Sequence, residues 1–551
     1  MLVGLAALVL LPGLASIPLV DPDEGRHAEI AREVLDAPSW GERLLPRLEG
    51  EPYRDKPILF YWVVAASYVA LGPGPGAARL PSLLAGVGTV LATAAAGAHC
   101  FGSRAGLLAG TVLVTAPSLL LLARAATLDM QLTLWMTLGM LAGWRWAAGG
   151  STGALLAAAV AAGLGTLTKG LVAPVLIGGS VLLWLAVERR LAIVRLRDLT
   201  LAALAFLAVT APWVVAAGLR DPAYLHELVL THHVQRFVGG GPGRLHPTSA
   251  LIYVPALLLG FFPWSTLLPA TAAATLRRAE RGPDERFCVV WAGVVLVFFS
   301  LSSGKLPTYI LPAFPPLALL TGLALDRILA RPAAATAGAP VDLPGRLARP
   351  GLVVAGLAVA VAPLVLVPLA RARYGGVLAE AAVWSAFLTP VGTASAWLSA
   401  RWRFRPALGV LGAALVATSL GAPIVAGPAI GELTGTAHLA RMIAARAPDA
   451  SVVVYGLALP SLRFNLGRPV IHLDRPQALA RFVAANPRTV VVTTPRHAAT
   501  AAGAASLVTW HAGPRRVLLA SMPAPDGVAA TPPDATAAPR GRIGLPGEAG
   551  L

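Results

Sequence analysis

The chain has 551 residues, 56% of them hydrophobic and 13% charged, with a mean hydropathy of +0.70. A soluble domain averages about 45–50% apolar and about 25% charged residues. A cytosolic enzyme, a disordered chain and a coiled coil are therefore excluded, and a multi-spanning membrane protein remains. The net charge of +17 fits arginines at cytoplasmic helix ends and not nucleic-acid binding, since no basic platform interleaved with aromatics accompanies it. Cys100 and Cys288 stand in apolar sequence with neither metal nor disulfide spacing.

About 20 apolar residues cross a bilayer as a helix. In chain order the candidate spans are 2–20, 80–99, 105–122, 129–148, 153–168, 170–187, 196–218, 250–270, 287–303, 307–327, 350–370, 380–400 and 406–429, thirteen in all. The first is read as an uncleaved helix, because it lacks a basic leader and many spans follow. Residues 57–72 (KPILFYWVVAASYVAL) decide the sides. If they lie along the interface, the Arg-rich stretches 187–196, 276–287, 326–350 and 401–406 all fall in the cytoplasm, as the positive-inside rule asks. Tyr61 and Trp62 suit that level. The same choice places Asp23, Glu24, Asp55, Lys56, Asp129, Lys169, His233, His246 and Lys305 together on the other side. Ionisable groups gathered at one membrane level suggest a shared cavity.

After residue 430 short apolar runs alternate with helical stretches: strands at 451–456, 470–473 and 489–494, then VTW and RRVLLAS, with helices near 434–446 and 476–485. That pattern predicts a small α/β domain over 431–521, placed outside the cytoplasm by span parity. The Pro-, Ala- and Gly-rich stretch 522–551 predicts a disordered tail. Residues 1–430 form the membrane domain, with a first external loop at 21–79.

That loop opens LVDPDEGRHAEIAREVL. Asp21 reads as an N-cap, Pro22 as the first helical residue and Glu24 as the capping-box partner, which leaves Asp23 unexplained. Arg26, Glu29, Arg32 and Glu33 follow at spacings that form ion pairs on a solvated face. Asp55 and Lys56 precede the interfacial stretch. Lys56 serves as a snorkelling anchor or as a point charge for phosphate; Asp55 serves as its ion-pair partner or as a metal ligand. Asp129 opens a span, where a carboxylate at a helix start needs no special role. The fourth external loop carries four His, two Arg and a Gly run, suited to a mobile cover. Lys305 lies just outside the tenth span, with Tyr309 one turn on.

Six segments, in order over residues 1–330, resemble the lipid-linked-sugar glycosyltransferases of the C-type fold, above all the aminoarabinose–lipid A transferases and protein O-mannosyltransferases. They are DPDEGRHAEIAREVL, RDKPILFYW, ARAATLDMQLTLWMTL, LGTLTKGLVAPVL, HHVQRF…LHP…YVP…GFFPW and SSGKLPTYILPAFPPLALL. The family's D-E-x-x-Y reads D-E-x-x-His here (Asp23, Glu24, His27), and its K-P-P reads Lys56-Pro57-Ile58. The resemblance implies an all-α polytopic fold and inverting transfer from a polyprenyl-phosphate sugar donor, at the extracytoplasmic face of the inner or plasma membrane. The acceptor it implies is a hydroxyl or phosphate of a lipid A-like lipid, a cell-envelope glycan or a protein Ser/Thr. It implies Asp23 as general base with Asp129, and Glu24, as the other catalytic carboxylates. Lys56, Arg26, Lys169 and Lys305 would hold the donor phosphate. A divalent cation (Zn or Mg/Mn) would sit on Asp55 with His246 or His233. The competing readings are a membrane transporter or lipid flippase, which would place charges mid-membrane on repeated halves, and a scaffold acting through its C-terminal domain.

Overall fold

A computed structural model describes residues 1–228, 249–275, 282–330, 343–374, 379–434, 436–497, 507–511 and 517–521. They fall into two compact units. The first comprises 1–440 with 459–469 and is helical; the second contains the remaining C-terminal residues and is built on a sheet. Residues 459–469, an eleven-residue excursion within the C-terminal part, belong to the helical unit.

The helical unit runs α1 (Leu2–Leu10), α2 (Asp23–Asp36), α3 (Leu59–Leu71), α4 (Pro75–Phe101), α5 (Ser103–Val114), α6 (Pro117–Ala123), α7 (Leu128–Ala147), α8 (Thr152–Lys169), α9 (Val172–Val187), α10 (Leu196–Arg220) and α11 (Pro222–His226). It continues with α12 (Tyr253–Gly260), α13 (Leu268–Thr275), α14 (Pro283–Leu301), α15 (Phe314–Leu329), α16 (Leu343–Tyr374), α17 (Ala379–Ala400) and α18 (Phe404–Thr434). Among the described residues six helices are long and apolar enough to cross a membrane, or eight if each of two bent helix pairs is one span. The bends, 66° between α5 and α6 and 102° between the α12 and α13 segments, split stretches that hydropathy reads as continuous. The expected first span, 2–20, is a nine-residue helix followed by turns.

Helix α3 is thirteen residues long, roughly 20 Å at the α-helical rise, short of the about 30 Å hydrocarbon layer. Pro57 precedes it and Gly72, at φ +78°, ends it in a backbone conformation that favours glycine. Its Phe60, Tyr61, Val64 and Tyr68 are buried against Ala28, Ile30 and Val34 of α2, Leu128 of α7, Leu167 of α8 and Trp213 of α10. This cluster forms a platform at one end of the bundle, separate from the larger core between the long helices.

Ion pairs gather the Arg-rich loops at a different level. Arg286 pairs with Glu188, Arg327 with Glu285, Arg104 with Asp326, and Arg405 donates to the Leu329 carbonyl. Four stretches predicted to share a side are thus joined to one another by direct contacts.

The sheet unit contributes β3 (Ser451–Tyr455), β4 (Val470–Leu473), β5 (Thr489–Thr493), β6 (Leu507–His511) and β7 (Val517–Ser521), after the short hairpin β1 (Arg47–Leu48) and β2 (Glu51–Pro52) of the first loop. The order is β4-β3-β5-β7-β6, with β3 parallel to both β4 and β5 and with β7 antiparallel to its neighbours. Val453, Tyr455 and Val491 pack under Leu479 of the helix Pro476–Ala485. Residues 522–551, expected to be a tail, lie outside the described residues.

Candidate active site

The N-cap of α2 is Pro22, without a side-chain cap. Asp21 does not cap α2 as its position predicts. Its carboxylate accepts the Ser461 N–H at 3.0 Å and the Ser461 hydroxyl, so a remote backbone group takes the lone pairs that a local cap would use. Glu24 is 6% exposed. Arg79 of α4 grips it with Nε and Nη2, both at 2.7 Å, while Ala126 N–H reaches it at 2.8 Å and Val20 N–H at 3.0 Å. Arg79 also donates to the carbonyls of Leu14, Ile17 and Pro18. Glu24 therefore ties α2 to α4, to the loop before α7 and to the chain leaving α1. Asp23, by contrast, is 63% exposed at its side chain and pairs with Arg26 at 3.5 Å.

Arg26 faces Tyr53, which donates to Asp55 at 3.2 Å. Lys56 Nζ lies 2.8 Å from the Asp55 carboxylate. Lys56 is fixed at its backbone, where the Tyr224 hydroxyl donates to the Lys56 carbonyl at 2.6 Å, and Arg54 beside it pairs with Asp221 at 2.8 Å and Glu227 at 3.0 Å. At the far ends of α7 and α8, Lys169 Nζ meets Asp129 Oδ1 at 2.5 Å and lies 4.7 Å above the Tyr309 ring. Lys305 is buried and donates to the Ser302 carbonyl.

One residue joins these pieces. His27 is buried in α2, with its Nδ1 3.2 Å from the Tyr61 hydroxyl and its ring against Phe60. Burial pushes its pKa down to about 3, helped by the positive charges of Arg26, Lys56 and Lys169 and opposed by Asp55. Burial also raises the Tyr53 and Tyr61 hydroxyls, so both stay protonated donors at neutral pH. The charges of Arg26, Asp55, Lys56 and Lys169 all act on this buried imidazole, with Asp23 attached through Arg26 and Asp129 through Lys169. The sequence expectation that these groups meet rests on α3 not crossing the bilayer, and their contacts agree with it.

Because the unfolded histidine titrates near 6.5 and the folded one near 3, the unfolded chain binds the extra proton between those values. Stability then falls as pH drops below about 6.5, by up to about 1.4 kcal/mol per pH unit. Thermal unfolding in detergent between pH 7 and 4 should show a steeper decline for the natural chain than for His27→Phe. Equal slopes would exclude a buried neutral His27.

Glu29 does pair with Arg32 as the spacing predicts, but Glu33 pairs with the remote Arg463 and Glu29 is 0% exposed, so that face is not solvated. His233 and His246 lie outside the described residues, and among those described no three His, Cys, Asp or Glu gather to hold a metal. Sequence reasoning missed Arg79, Tyr53 and the roles of His27 and Tyr61. Arg79 carried a signal: an arginine entering an apolar helix demands a partner. An apolar cavity of about 290 Å³ opens between Gly143, Leu155, Ala162, Ile177 and Phe206. It flanks the halves of α7 and α8 that lie away from Asp129 and Lys169, and so is separate from this site.

Residues 11–228 match the family model for dolichyl-phosphate-mannose-protein mannosyltransferases. The chain is 31% identical over 340 residues to an undecaprenyl phosphate-alpha-4-amino-4-deoxy-L-arabinose arabinosyl transferase of Enterobacter sp. (strain 638), covering 60% of each chain. It spans about 60% of the length of the first such relatives. Among solved structures it is similar to ArnT of Cupriavidus metallidurans bound to undecaprenyl phosphate, with a TM-score of 0.74 and 26% identity over 95% of this chain and 97% of that one. The archaeal oligosaccharyltransferase of Archaeoglobus fulgidus shares the fold at a TM-score of 0.50 and 13% identity, covering 90% of this chain and 69% of that one.

Proposed function

We propose, for a chain that carries the protein-mannosyltransferase family domain over residues 11–228 and has the C-type fold of membrane glycosyltransferases, that it transfers a sugar from a polyprenyl-phosphate donor to a hydroxyl or phosphate acceptor at the extracytoplasmic face of the inner or plasma membrane. The observation that carries this reading is a set of cation–carboxylate pairs, Arg26 with the exposed Asp23, Lys56 with Asp55 and Lys169 with Asp129. Breaking the anomeric carbon–oxygen bond builds negative charge on the leaving phosphate, and fixed cations stabilise it. Asp23 takes the proton of the acceptor hydroxyl, and attack from the face opposite the phosphate inverts the anomeric centre. Asp129 holds Lys169 in place, and Glu24 holds the first turn of α2. Lys305 completes the cationic lining in this reading. The relatives' names favour an undecaprenyl-phosphate aminoarabinose donor; the family model's description points to a protein acceptor, and a lipid A-like lipid and a cell-envelope glycan remain the other acceptors of the proposal.

A divalent cation on Asp55 with His246 or His233 also belongs to the proposal. The Asp55 carboxylate is already engaged by Lys56 and Tyr53, so no step above is routed through a cation. A transporter or flippase has no support among these relatives. The charged groups also lie at helix ends, not on broken helices at mid-membrane.

The test is single-turnover transfer by the purified chain from undecaprenyl-phosphate aminoarabinose, and in parallel from a polyprenyl-phosphate mannose, to lipid A and to a Ser/Thr peptide. Labelled product with either donor supports the reading; transport of labelled donor into vesicles without covalent product overturns it. In the same assay Lys56→Met should raise the donor KM about 10- to 100-fold, the equivalent of a lost charged hydrogen bond of about 1.5–3 kcal/mol. An unchanged KM would remove Lys56 from the phosphate site.

A further inference from the structure

The excursion 459–469 leaves the sheet unit, contacts α2 and returns. It holds a seven-residue helix, Pro460–Leu466, ended by Gly467 in the left-handed conformation (φ +66°). Most of its polar contacts go to α2 and the residue before it, with others to Thr436. Arg463 Nε lies 2.8 Å from Glu29 Oε1, and Arg463 Nη2 lies 2.9 Å from Glu33 Oε1. Ser461 meets Asp21 through both N–H and hydroxyl, and Phe464 packs on Tyr68 of α3 and lies under the Arg32 guanidinium. The approach is close: a Cβ on Gly25 would lie 2.6 Å from Ser461 N and 2.3 Å from Asp21 Oδ1. Glu33 in turn accepts the N–H groups of Glu49 at 2.6 Å and Gly50 at 3.1 Å, so the β1–β2 turn hangs on the same carboxylate.

We infer that segment 459–469 is a clamp on α2, with Arg463 and Ser461 as positioning residues that fix the helix carrying Asp23, Arg26 and His27. This rests on the transfer reading above for its effect on rate, while the docking stands on the contacts alone. The physical argument is local. Glu29 is fully buried, and a buried carboxylate stays in place only when cations meet it. Arg32 is on the same helix and moves with Glu29. Arg463 is the cation that comes from elsewhere in the chain, so it ties α2 to something outside itself. Lys56 and Lys169 are held by contacts that do not involve the clamp, through Tyr224 and Asp129. Loosening the clamp should therefore disturb Asp23 and Arg26 on α2 while Lys56 and Lys169 stay in place, so turnover should change more than donor binding.

The test uses the full chain in detergent with Arg463→Gln, Arg463→Lys and Ser461→Ala. Amides of residues 25–34 should exchange with deuterium at least about tenfold faster in Arg463→Gln, with residues 59–71 unchanged. Turnover should fall about 10- to 100-fold with the donor KM within about threefold, and Arg463→Lys should recover part of the turnover by keeping one ion pair. The outcome that overturns the clamp is unaltered exchange in both Arg463→Gln and Ser461→Ala. Faster exchange with full turnover, or kcat and KM changing in proportion, overturns the positioning role. A natural chain that transfers no sugar would sink the transfer reading instead, and the exchange result would still decide the docking.

Discussion

Asp23→Asn should lower sugar transfer by about 10²- to 10⁴-fold, the range that a positioned general base contributes. Asparagine keeps the size of the side chain and its place in the first turn of α2, and it removes only the basicity. Donor KM should change by less than about threefold, because Asp23 contributes no positive charge to the phosphate. The carboxylate is 63% exposed and its described partner is Arg26 at 3.5 Å, so the substitution breaks no buried pair and the protein should fold normally. Rapid-quench measurement of kcat and KM, with circular dichroism to check folding, decides the matter. Turnover within a few-fold of the natural chain would assign the base to another carboxylate.

The second large effect is on stability. Arg79→Met should destabilise the chain by about 3–5 kcal/mol, since it leaves Glu24 as an uncompensated charge. Arg79 is 3% exposed and Glu24 6%. The guanidinium also satisfies three carbonyls of the chain leaving α1, at Leu14, Ile17 and Pro18, each of which loses a donor. Unfolding in mixed micelles should show the loss, and activity should fall with it. The double change Arg79→Met with Glu24→Gln should recover part of that stability, because the stranded charge is gone. If the double variant is as unstable as the sum of the two single changes, the pair is not the structural tie described.

Much of the site follows from charge arithmetic. Loops 187–196, 276–287, 326–350 and 401–406 are rich in arginine, and they meet one another through two ion pairs and one arginine–carbonyl hydrogen bond. With α3 too short to cross, the same count brings Asp55, Lys56, Asp129 and Lys169 to a shared end, and the environment of His27 reflects three of those charges directly. The strands of the sheet unit were also readable, because runs such as SVVVY and TVVVT are apolar on both faces and short.

Other features were hidden. Asp21 looks like a cap because capping is a four-residue pattern, yet its partner Ser461 is 440 residues away. The face of α2 carrying Glu29 and Glu33 looks solvated because periodicity reports charge but not what covers it.

What the amino-acid order determined alone is the set of quantities that add up locally: apolar length against bilayer thickness, arginine bias against membrane side, and strand or helix period. These depend on residues a few positions apart, so they survive without knowledge of neighbours. Only the tertiary structure decided which carboxylate is buried in an ion pair and which is left exposed. Glu24 and Asp23 are adjacent and chemically alike. The first is buried on Arg79 and the second faces solvent, because burial and partner choice are set by groups distant in the chain and close in space.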